Sequence, residues 1–281
     1  MQTLTQQLGY DPTAKLLIVN CDDLGSSHAA NTAIHRAMTS GIATSATLMV
    51  PCPWAQEAAR MTAGLDVGVH LTLTGEYPGY RWRSLTGAAS LHDADGFLPT
   101  NSPAAIARAK PADVRAECRA QIDQALAWGV DVTHLDSHMG VVQLAARLYD
   151  VYLELAVEYR LPLRMVGPRN GRLLGFKPRA KAAARGAVFT DDFFHSWGKD
   201  TRAFLTKRIA AMKPGVAEAY GHPVDDGSEL RGYDLENADM RVADGRCFTD
   251  PAMKAMLVKA GITPISYRPL RDLQRGLKAE N

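Results

Sequence analysis

The sequence contains few cysteines, few aromatic residues and no excess of charge of one sign. Four of its 281 residues are cysteine, and 7% are aromatic. The cysteines are too few for a disulfide scaffold, and none of them has the C-x-x-C spacing of a short metal or redox motif; they are Cys21, Cys52, Cys118 and Cys247. We therefore expect reduced thiols in a cytoplasmic protein.

Charge and hydropathy exclude further classes of protein. The 32 Lys+Arg and 30 Asp+Glu give a formal net charge of +2 without a basic stripe, so neither a nucleic acid nor a membrane surface is expected as a partner. The longest apolar runs are shorter than the ~18 residues of a membrane span, and residues 1–14 lack the apolar segment of a secretory signal. With 46% hydrophobic residues, the chain is expected to be a folded enzyme-sized protein, with a homodimer as the default assembly.

Strand-like and helix-like segments alternate along the chain. The strand-like segments lie at 15–20, 42–50, 67–73, 132–136, 163–166, 187–189, 216–220 and 262–267, and the helix-like segments at 27–40, 54–61, 111–128, 144–159, 201–212 and 251–260. This alternation predicts parallel strands with crossover helices, and about seven or eight such units favour an α/β fold of the (β/α)-barrel type. We predict a single domain over 1–281, with an N-terminal extension of about 1–14 and a C-terminal tail of about 271–281.

Acidic and imidazole side chains lie at the ends of the predicted strands, where (β/α) barrels carry their chemistry. They are Asp22 and Asp23 after LLIVN, His70 in VGVHLTL, Asp136 and His138 in VTHLDSH, and His222 after VAEAYG. Side-chain alternation places His70 inside the barrel, and it puts Asp136 and His138 on a common face with His134. Two imidazoles and one carboxylate form a three-ligand metal set that leaves positions open for water and substrate.

Each of these features also has a purely structural interpretation. An Asp pair after a strand is often a turn or a helix cap, and a single histidine is more often a satisfied polar residue than a ligand. The D-S-H triplet also suits an N-cap before the helix predicted at Leu144. On the residues alone these alternatives stay open, because 138 − 70 = 68 positions separate His70 from His138 and no short motif links them.

A long polar segment, 74–101, follows the predicted strand of His70. Segments of this length are usually functional. Tyr77, Arg81 and Trp82 place aromatic faces and a guanidinium beside the rim, where they suit a sugar ring, so we predict them as substrate contacts. The alternative is a lid that packs on the barrel without touching substrate. Residues 190–195 are a second predicted loop of this kind.

Ordered motifs along nearly the whole chain resemble one known family. NCDDLG (20–25), GIATSATLMV (41–50), GVHLTLT (68–74), THLDSH (133–138), EAYGHP (218–223) and GITPISYR (261–268) are similar, in this order, to the YdjC-like (ChbG/HpnK-type) carbohydrate deacetylases. The resemblance implies a distorted TIM-like barrel. It also implies a reaction that removes an acetyl group from an N-acetylated, chito-oligosaccharide-like sugar with one divalent metal ion, Zn²⁺ or Mg²⁺.

The resemblance further implies roles for individual residues. Asp23, His70 and His138 would hold the ion. Asp22 would be the general base that takes a proton from the attacking water, and His222 would be the general acid that donates a proton to the leaving amine.

Two positions depart from the family pattern, and one further role follows from alternation. Gly140 stands where the family often has a second histidine, and Cys21 stands within its N-A-D-D motif. The first departure affects the expected identity of the substrate more than the expected reaction, because all three proposed ligands are still present. Asp136 is expected, from its shared face, to accept a hydrogen bond from a ligand imidazole.

Two other functions remain as alternatives. One is a different metal-dependent amide hydrolase or a sugar isomerase on the same barrel, although an isomerase would normally need more carboxylate ligands. The other is a catalytically silent sugar-binding protein, which is disfavoured because binding needs neither the base Asp22 nor the acid His222.

Overall fold

A curled sheet of parallel strands forms the centre of the computed structural model, which describes residues 2–277. The strands are β1 (Lys15–Leu24), β2 (Ser45–Leu48), β3 (Val67–Leu71), β4 (Val132–Ser137), β5 (Asp192–His195), β6 (Gly215–Gly221) and β7 (Ile262–Pro264). Their order is β4-β3-β2-β1-β6-β5, and β7 lies beside the first residues of β1. Each pairing among these described strands is parallel, as the predicted β-α alternation requires.

Helices connect the strands and cover the sheet. They are α1 (Leu4–Gln7), α2 (His28–Ser40), α3 (Ala55–Met61), α4 (Ser102–Arg108), α5 (Pro111–Ala127), α6 (Val141–Leu144), α7 (Ala146–Tyr159), α8 (Pro178–Ala184), α9 (Thr201–Ala210), α10 (Ser228–Tyr233), α11 (Ala238–Thr249), α12 (Pro251–Lys259) and α13 (Arg268–Gln274). Two predicted helix starts are confirmed by their caps. The Ser27 side chain accepts the N–H of Ala30 at 3.0 Å, and the Asp250 side chain accepts that of Ala252 at 2.7 Å.

β1 is the central strand and has neighbours on both edges. β6 pairs with it from Lys15 to Cys21, while β2 and β7 share the opposite edge. Residues 16–24 are buried, as expected for a strand covered on both faces. Asp22 and Asp23 form an irregularity within β1, between the paired residues Cys21 and Leu24, so they lie inside the strand and not in a turn that follows it.

The barrel wall is irregular between β4 and β5. Leu163 makes one parallel bridge to Leu135, and its N–H donates to the carbonyl oxygen of Val188 at 3.0 Å. The predicted strands at 163–166 and 187–189 are therefore wrong as regular strands. The predicted α/β barrel is confirmed, in the distorted form that the family resemblance implies.

Local sequence explains these differences. Pro162 and Pro168 flank the first of the two segments and offer no N–H to a ladder. The loop predicted at 190–195 is wrong at residues 192–195, which form β5. This strand begins at the charged Asp192 and pairs with β6 through four residues.

Other element boundaries are also corrected. The strands predicted at 42–50 and 262–267 shorten to β2 and β7, and the helix predicted at 144–159 divides into α6 and α7 at Ala145, whose backbone is extended. The sequence does not predict α11, because charged residues, Arg241 and Asp244, share its buried side with apolar ones.

The ends of the chain pack on this sheet. α1 contacts β6, and Leu270 of α13 is buried. Residue 1 of the predicted N-terminal extension and residues 278–281 of the predicted C-terminal tail lie outside the described residues. Between residues 2 and 277, no helix has the length and apolar character needed to cross a membrane.

Candidate metal centre and active site

Asp23, His70 and His138 meet at the carboxyl end of the sheet. Asp23 Oδ1 lies 3.4 Å from His70 Nε2 and 3.3 Å from His138 Nδ1, and the two nitrogens are 3.2 Å apart. All three side chains are buried. The structure therefore brings together, from β1, β3 and the turn after β4, the three residues that the sequence analysis names as metal ligands.

The chemistry of this ligand triangle fits a cation. Asp23 Oδ1 is buried and has no well-directed hydrogen-bond partner within residues 2–277, although buried polar atoms are normally paired. A triangle with edges of 3.2–3.4 Å has a circumradius of about 1.9 Å, which allows an ion to reach all three atoms at the ~2.0–2.2 Å of zinc–nitrogen and zinc–carboxylate bonds. The three donors can hold a divalent ion and leave coordination positions open.

A second group of potential ligands, Asp22, His70 and Asp136, adjoins the ligand triangle. The Arg164 guanidinium already neutralises this group. It donates to the two oxygens of Asp22 at 2.6 and 2.7 Å and lies 2.8 Å from Asp136 Oδ2. A metal ion placed among these atoms would face the positive charge of Arg164, so the ligand triangle is the better candidate.

In each histidine of the triangle, the ring nitrogen that is not part of the triangle contacts a carboxylate. His70 Nδ1 lies 2.5 Å from Asp136 Oδ1, and His138 Nε2 lies 3.0 Å from Glu76 Oε2. Burial by itself lowers the pKa of both imidazoles. Asp136 nevertheless raises the pKa of His70 to about 9, and Glu76 together with Asp23 raises the pKa of His138 to about 10. These contacts fix which nitrogen of each ring faces the ion.

Arg241 orients the carboxylate of Asp23. Its guanidinium donates to Asp23 Oδ2 at 2.8 Å, to Asp234 Oδ2 at 2.7 Å and to the Tyr77 hydroxyl at 2.7 Å. Asp23 has a left-handed φ of 65°, which is unusual for a residue with a side chain. The surrounding contacts therefore hold a strained backbone so that Oδ2 faces Arg241 and Oδ1 faces the imidazoles.

Arg164 fixes the neighbouring carboxylate, Asp22. Burial raises the pKa of Asp22, but the charge and hydrogen bonds of Arg164 bring it below its usual value. Asn20 also donates to Asp22 Oδ1 at 2.8 Å. Arg164 is held in turn by Glu218 at 2.7 Å, and Glu218 accepts a hydrogen bond of 2.5 Å from Tyr267. Asp22 is therefore an ionised carboxylate in a fixed position.

His222 follows β6 on the same rim. Its backbone N–H donates to Asp244 Oδ2 at 2.8 Å, and its ring Nδ1 lies 3.9 Å from that oxygen. Burial lowers the pKa of His222 to about 4, although Asp23 and Asp22 act in the opposite direction. The ring is therefore neutral at pH 7 in the metal-free protein.

The turn after His138 requires unusual backbone conformations. Met139 and Gly140 have φ values of 48° and 70°. A Cβ at Gly140 would lie 3.2 Å from Leu144 Cγ. Glycine at this departure from the family pattern therefore suits both the backbone and its crowded surroundings.

The predicted substrate contacts after β3 have partners within the protein. Trp82 is buried, and its indole N–H donates to the carbonyl oxygen of Thr74 at 2.8 Å. Arg81 forms an ion pair with Asp93 of the same segment, and Tyr77 is buried and bound by Arg241. These three side chains organise the segment, and their contact with substrate stays a prediction.

Sequence reasoning missed several residues that hold the site together. They are Glu76, Arg164, Glu218, Arg241 and Asp244. Period-two alternation along β6 was a usable signal for Glu218, since it shares a face with His222. Arg164 is the one charge in the apolar run LPLRMV. By contrast, no local pattern marks Arg241 or Asp244, because the site residues that they contact, Asp23 and His222, lie 218 and 22 positions away.

Glu76→Gln is expected to weaken metal binding about 10- to 100-fold, because removal of the negative charge behind His138 makes that imidazole a poorer ligand. Calorimetric titration of the metal-free protein with Zn²⁺ measures the effect. Glu57→Gln is a matched control, since Glu57 lies 3.0 Å from Nδ1 of the exposed His28, away from the ligand triangle. Equal affinities of the two variants would contradict a supporting role for Glu76.

Comparisons with known proteins extend over almost the whole chain. The family model described as YdjC-like protein matches residues 16–259. A carbohydrate deacetylase of Thermus thermophilus is 44% identical over 269 residues, which cover 92% of this chain and 94% of the relative. A carbohydrate deacetylase of Geobacillus stearothermophilus is 32% identical over 260 residues, which cover 91% of this chain and 98% of the relative.

A solved structure has the same fold. The crystal structure of a proposed cellobiose-phosphate cleavage protein from Enterococcus faecalis V583 superposes with a TM-score of 0.78 and 25% identity, over 92% of this chain and 99% of that protein. The family match includes β1 to β6 and with them the ligand triangle, Asp22 and His222. The chain therefore belongs to the YdjC-like protein family.

Proposed function

We infer that this protein is a metal-dependent carbohydrate deacetylase, which hydrolyses the acetamide of an N-acetylated sugar to the free amine and acetate. The carbohydrate deacetylases of Thermus thermophilus and Geobacillus stearothermophilus support the reaction class. The observation that carries the proposal is the ligand triangle of Asp23, His70 and His138 with an ionised carboxylate, Asp22, in the adjacent position. A protein that only binds sugar needs no base beside a cation site.

Asp23, His70 and His138 would hold the ion. When bound, a divalent ion polarises the acetamide carbonyl and stabilises the negative charge that develops on its oxygen. Two nitrogen donors and one oxygen donor favour zinc. Magnesium is the less favoured alternative, because it prefers a shell of oxygen ligands only.

Asp22 accepts a proton from the attacking water. Its Oδ1 receives hydrogen bonds from Asn20 and Arg164, whereas Oδ2 receives one hydrogen bond, from Arg164, so Oδ2 keeps a lone pair for the proton. The guanidinium keeps the carboxylate ionised and prevents its rotation. A fixed base adjacent to a ligand residue, Asp23, supports this role toward a water that approaches the reacting carbonyl.

His222 donates a proton to the leaving nitrogen. The amine would otherwise leave as an unstable anion, so a proton donor is required before the carbon–nitrogen bond breaks. The ring is neutral at rest, so it must take up a proton from solvent before it can donate one to the nitrogen. The negative charge that develops on the reacting amide raises its proton affinity and favours this uptake. Asp244 fixes the backbone of His222 and adds a nearby negative charge that stabilises the imidazolium.

Release of acetate tests the proposed function. The metal-free protein is incubated with N-acetylglucosamine or N,N′-diacetylchitobiose, with Zn²⁺ or Mg²⁺ added, and acetate and free amine are measured. We expect equal amounts of both products, loss of activity with a chelator and recovery with metal. No acetate from either sugar with either metal would contradict the proposal, and an isomerised sugar without acetate would favour the isomerase alternative.

A further inference from the structure

An exposed tryptophan lies beside His222. Trp197 follows β5 at the carboxyl end of the barrel and is 39% exposed. Its ring centroid lies 4.6 Å from that of His222, with the two planes at 71°. The guanidinium of Arg241, which orients Asp23, is 5.5 Å from the indole centroid. The indole is therefore part of the wall of the site and is still open to solvent.

Hydrogen bonds fix the turn that carries Trp197. Thr201 Oγ1 lies 3.2 Å from Ser196 Oγ and also hydrogen-bonds Asp244. Asp244 in turn accepts the backbone N–H of His222 at 2.8 Å. Residues on both sides of the indole are thus linked to His222 through one carboxylate, so Trp197 is positioned before any ligand arrives, which lowers the entropic cost of binding.

The indole of Trp197 is one of the large apolar side chains that the described residues leave exposed. Its neighbours are the functional groups His222 and Arg241. A large apolar surface left in water has a free-energy cost, which is removed when a ligand covers it.

We propose that Trp197 is the stacking platform for the pyranose ring that carries the scissile acetamide. The proposal rests on the proposed deacetylase function, in which His222 protonates the amide nitrogen. That nitrogen is bonded directly to the sugar ring, so the ring must lie next to His222, where the indole is. A gluco-configured pyranose has an apolar C–H face that an indole covers well, while its equatorial hydroxyls point outward to water and polar groups. The site would thereby select cyclic sugar amides over acyclic acetamides.

Tryptophan fluorescence tests sugar binding at this platform. The metal-loaded Asp22→Asn variant is titrated with N,N′-diacetylchitobiose, which it is expected to bind without rapid turnover. We expect the sugar to change the emission, and the further substitution Trp197→Phe to abolish that change. Trp128→Phe is the matched control and should retain it, because Trp128 ends α5 and precedes β4, at the opposite end of the barrel. A full signal in the Trp197→Phe protein would overturn the proposal.

Kinetics provide a second, independent measurement. Trp197→Ala is expected to lower kcat/KM for the sugar about tenfold, mainly through KM, and Trp197→Phe to restore most of it. The acyclic N-(2-hydroxyethyl)acetamide contains the same amide without a ring, and its kcat/KM should not change. An unchanged KM for the sugar in Trp197→Ala would overturn the proposed role of Trp197 and leave the proposed deacetylase function standing. Absence of acetate with the unsubstituted protein would instead contradict the proposed function.

Discussion

Asp22→Asn is expected to lower kcat for acetate release by about 10²- to 10⁴-fold while leaving the metal bound, since it removes the proposed general base and none of the three proposed ligands. Asparagine has nearly the same shape, and its one oxygen can accept the hydrogen bonds of Asn20 and of Arg164 Nη2. Its amide nitrogen would replace the oxygen that accepts from Arg164 Nη1, so that hydrogen bond is lost. The measurement is kcat under saturating sugar, with metal content determined on the same sample. Turnover comparable to that of the unsubstituted protein would remove Asp22 from the role of base.

Two controls separate lost chemistry from lost structure. Arg164 retains Asp136 at 2.8 Å and Glu218 at 2.7 Å, so its charge stays paired in the variant and the fold should persist. A thermal unfolding curve close to that of the unsubstituted protein checks this expectation. Asp239→Asn is the matched surface substitution, because Asp239 is 88% exposed and its ion pair with Arg231 should contribute little.

His70→Ala is expected to weaken metal binding more than about 100-fold, beyond the effect of losing a supporting carboxylate such as Glu76. The ligand triangle would keep only Asp23 and His138, and acetate release should fall with metal occupancy. Titration of the metal-free protein with Zn²⁺ by calorimetry measures the affinity. His35→Ala, on the outer helix α2, serves as the control and should bind Zn²⁺ normally.

The metal affinity measured by this titration is expected to depend on pH. In the metal-free protein the neighbouring carboxylates raise the pKa of His70 to about 9 and that of His138 to about 10. His70 Nε2 and His138 Nδ1 lie 3.2 Å apart, so these two nitrogens cannot both present an N–H without repulsion. A metal ion binds deprotonated ring nitrogens, so binding must release at least one proton, and affinity should rise with pH up to about 9. Titrations in buffers of different ionisation enthalpy count the protons. A metal affinity independent of pH between 7 and 9 would contradict the raised pKa values of these two rings.

The strands that carry the site could be predicted because their signals are local. The apolar run at β1 and the motif around His70 mark buried parallel strands, and alternation puts Asp136 on the face of β4 that meets His70. Strand ends in a parallel barrel converge at one rim, so the sequence also predicts that the acidic and imidazole side chains at these ends lie close together. The family resemblance implies that Asp23, His70 and His138 are the ligands among them. Boundaries were less predictable where proline or charge interrupts a strand, as at residues 163–166 and in β5.

The sequence pattern by itself therefore predicted the barrel and its reactive rim, and the family resemblance of its motifs implied the three potential ligands. Only the tertiary structure decided which cation fixes each of the two adjacent carboxylates. Asp22 is bound by Arg164, 142 positions away, and Asp23 by Arg241, 218 positions away, with its backbone held at a φ of 65°. No periodicity or short motif can report such partners. Their approach depends on how distant strands and helices close around the rim, and burial there makes each charge depend on the partner it meets.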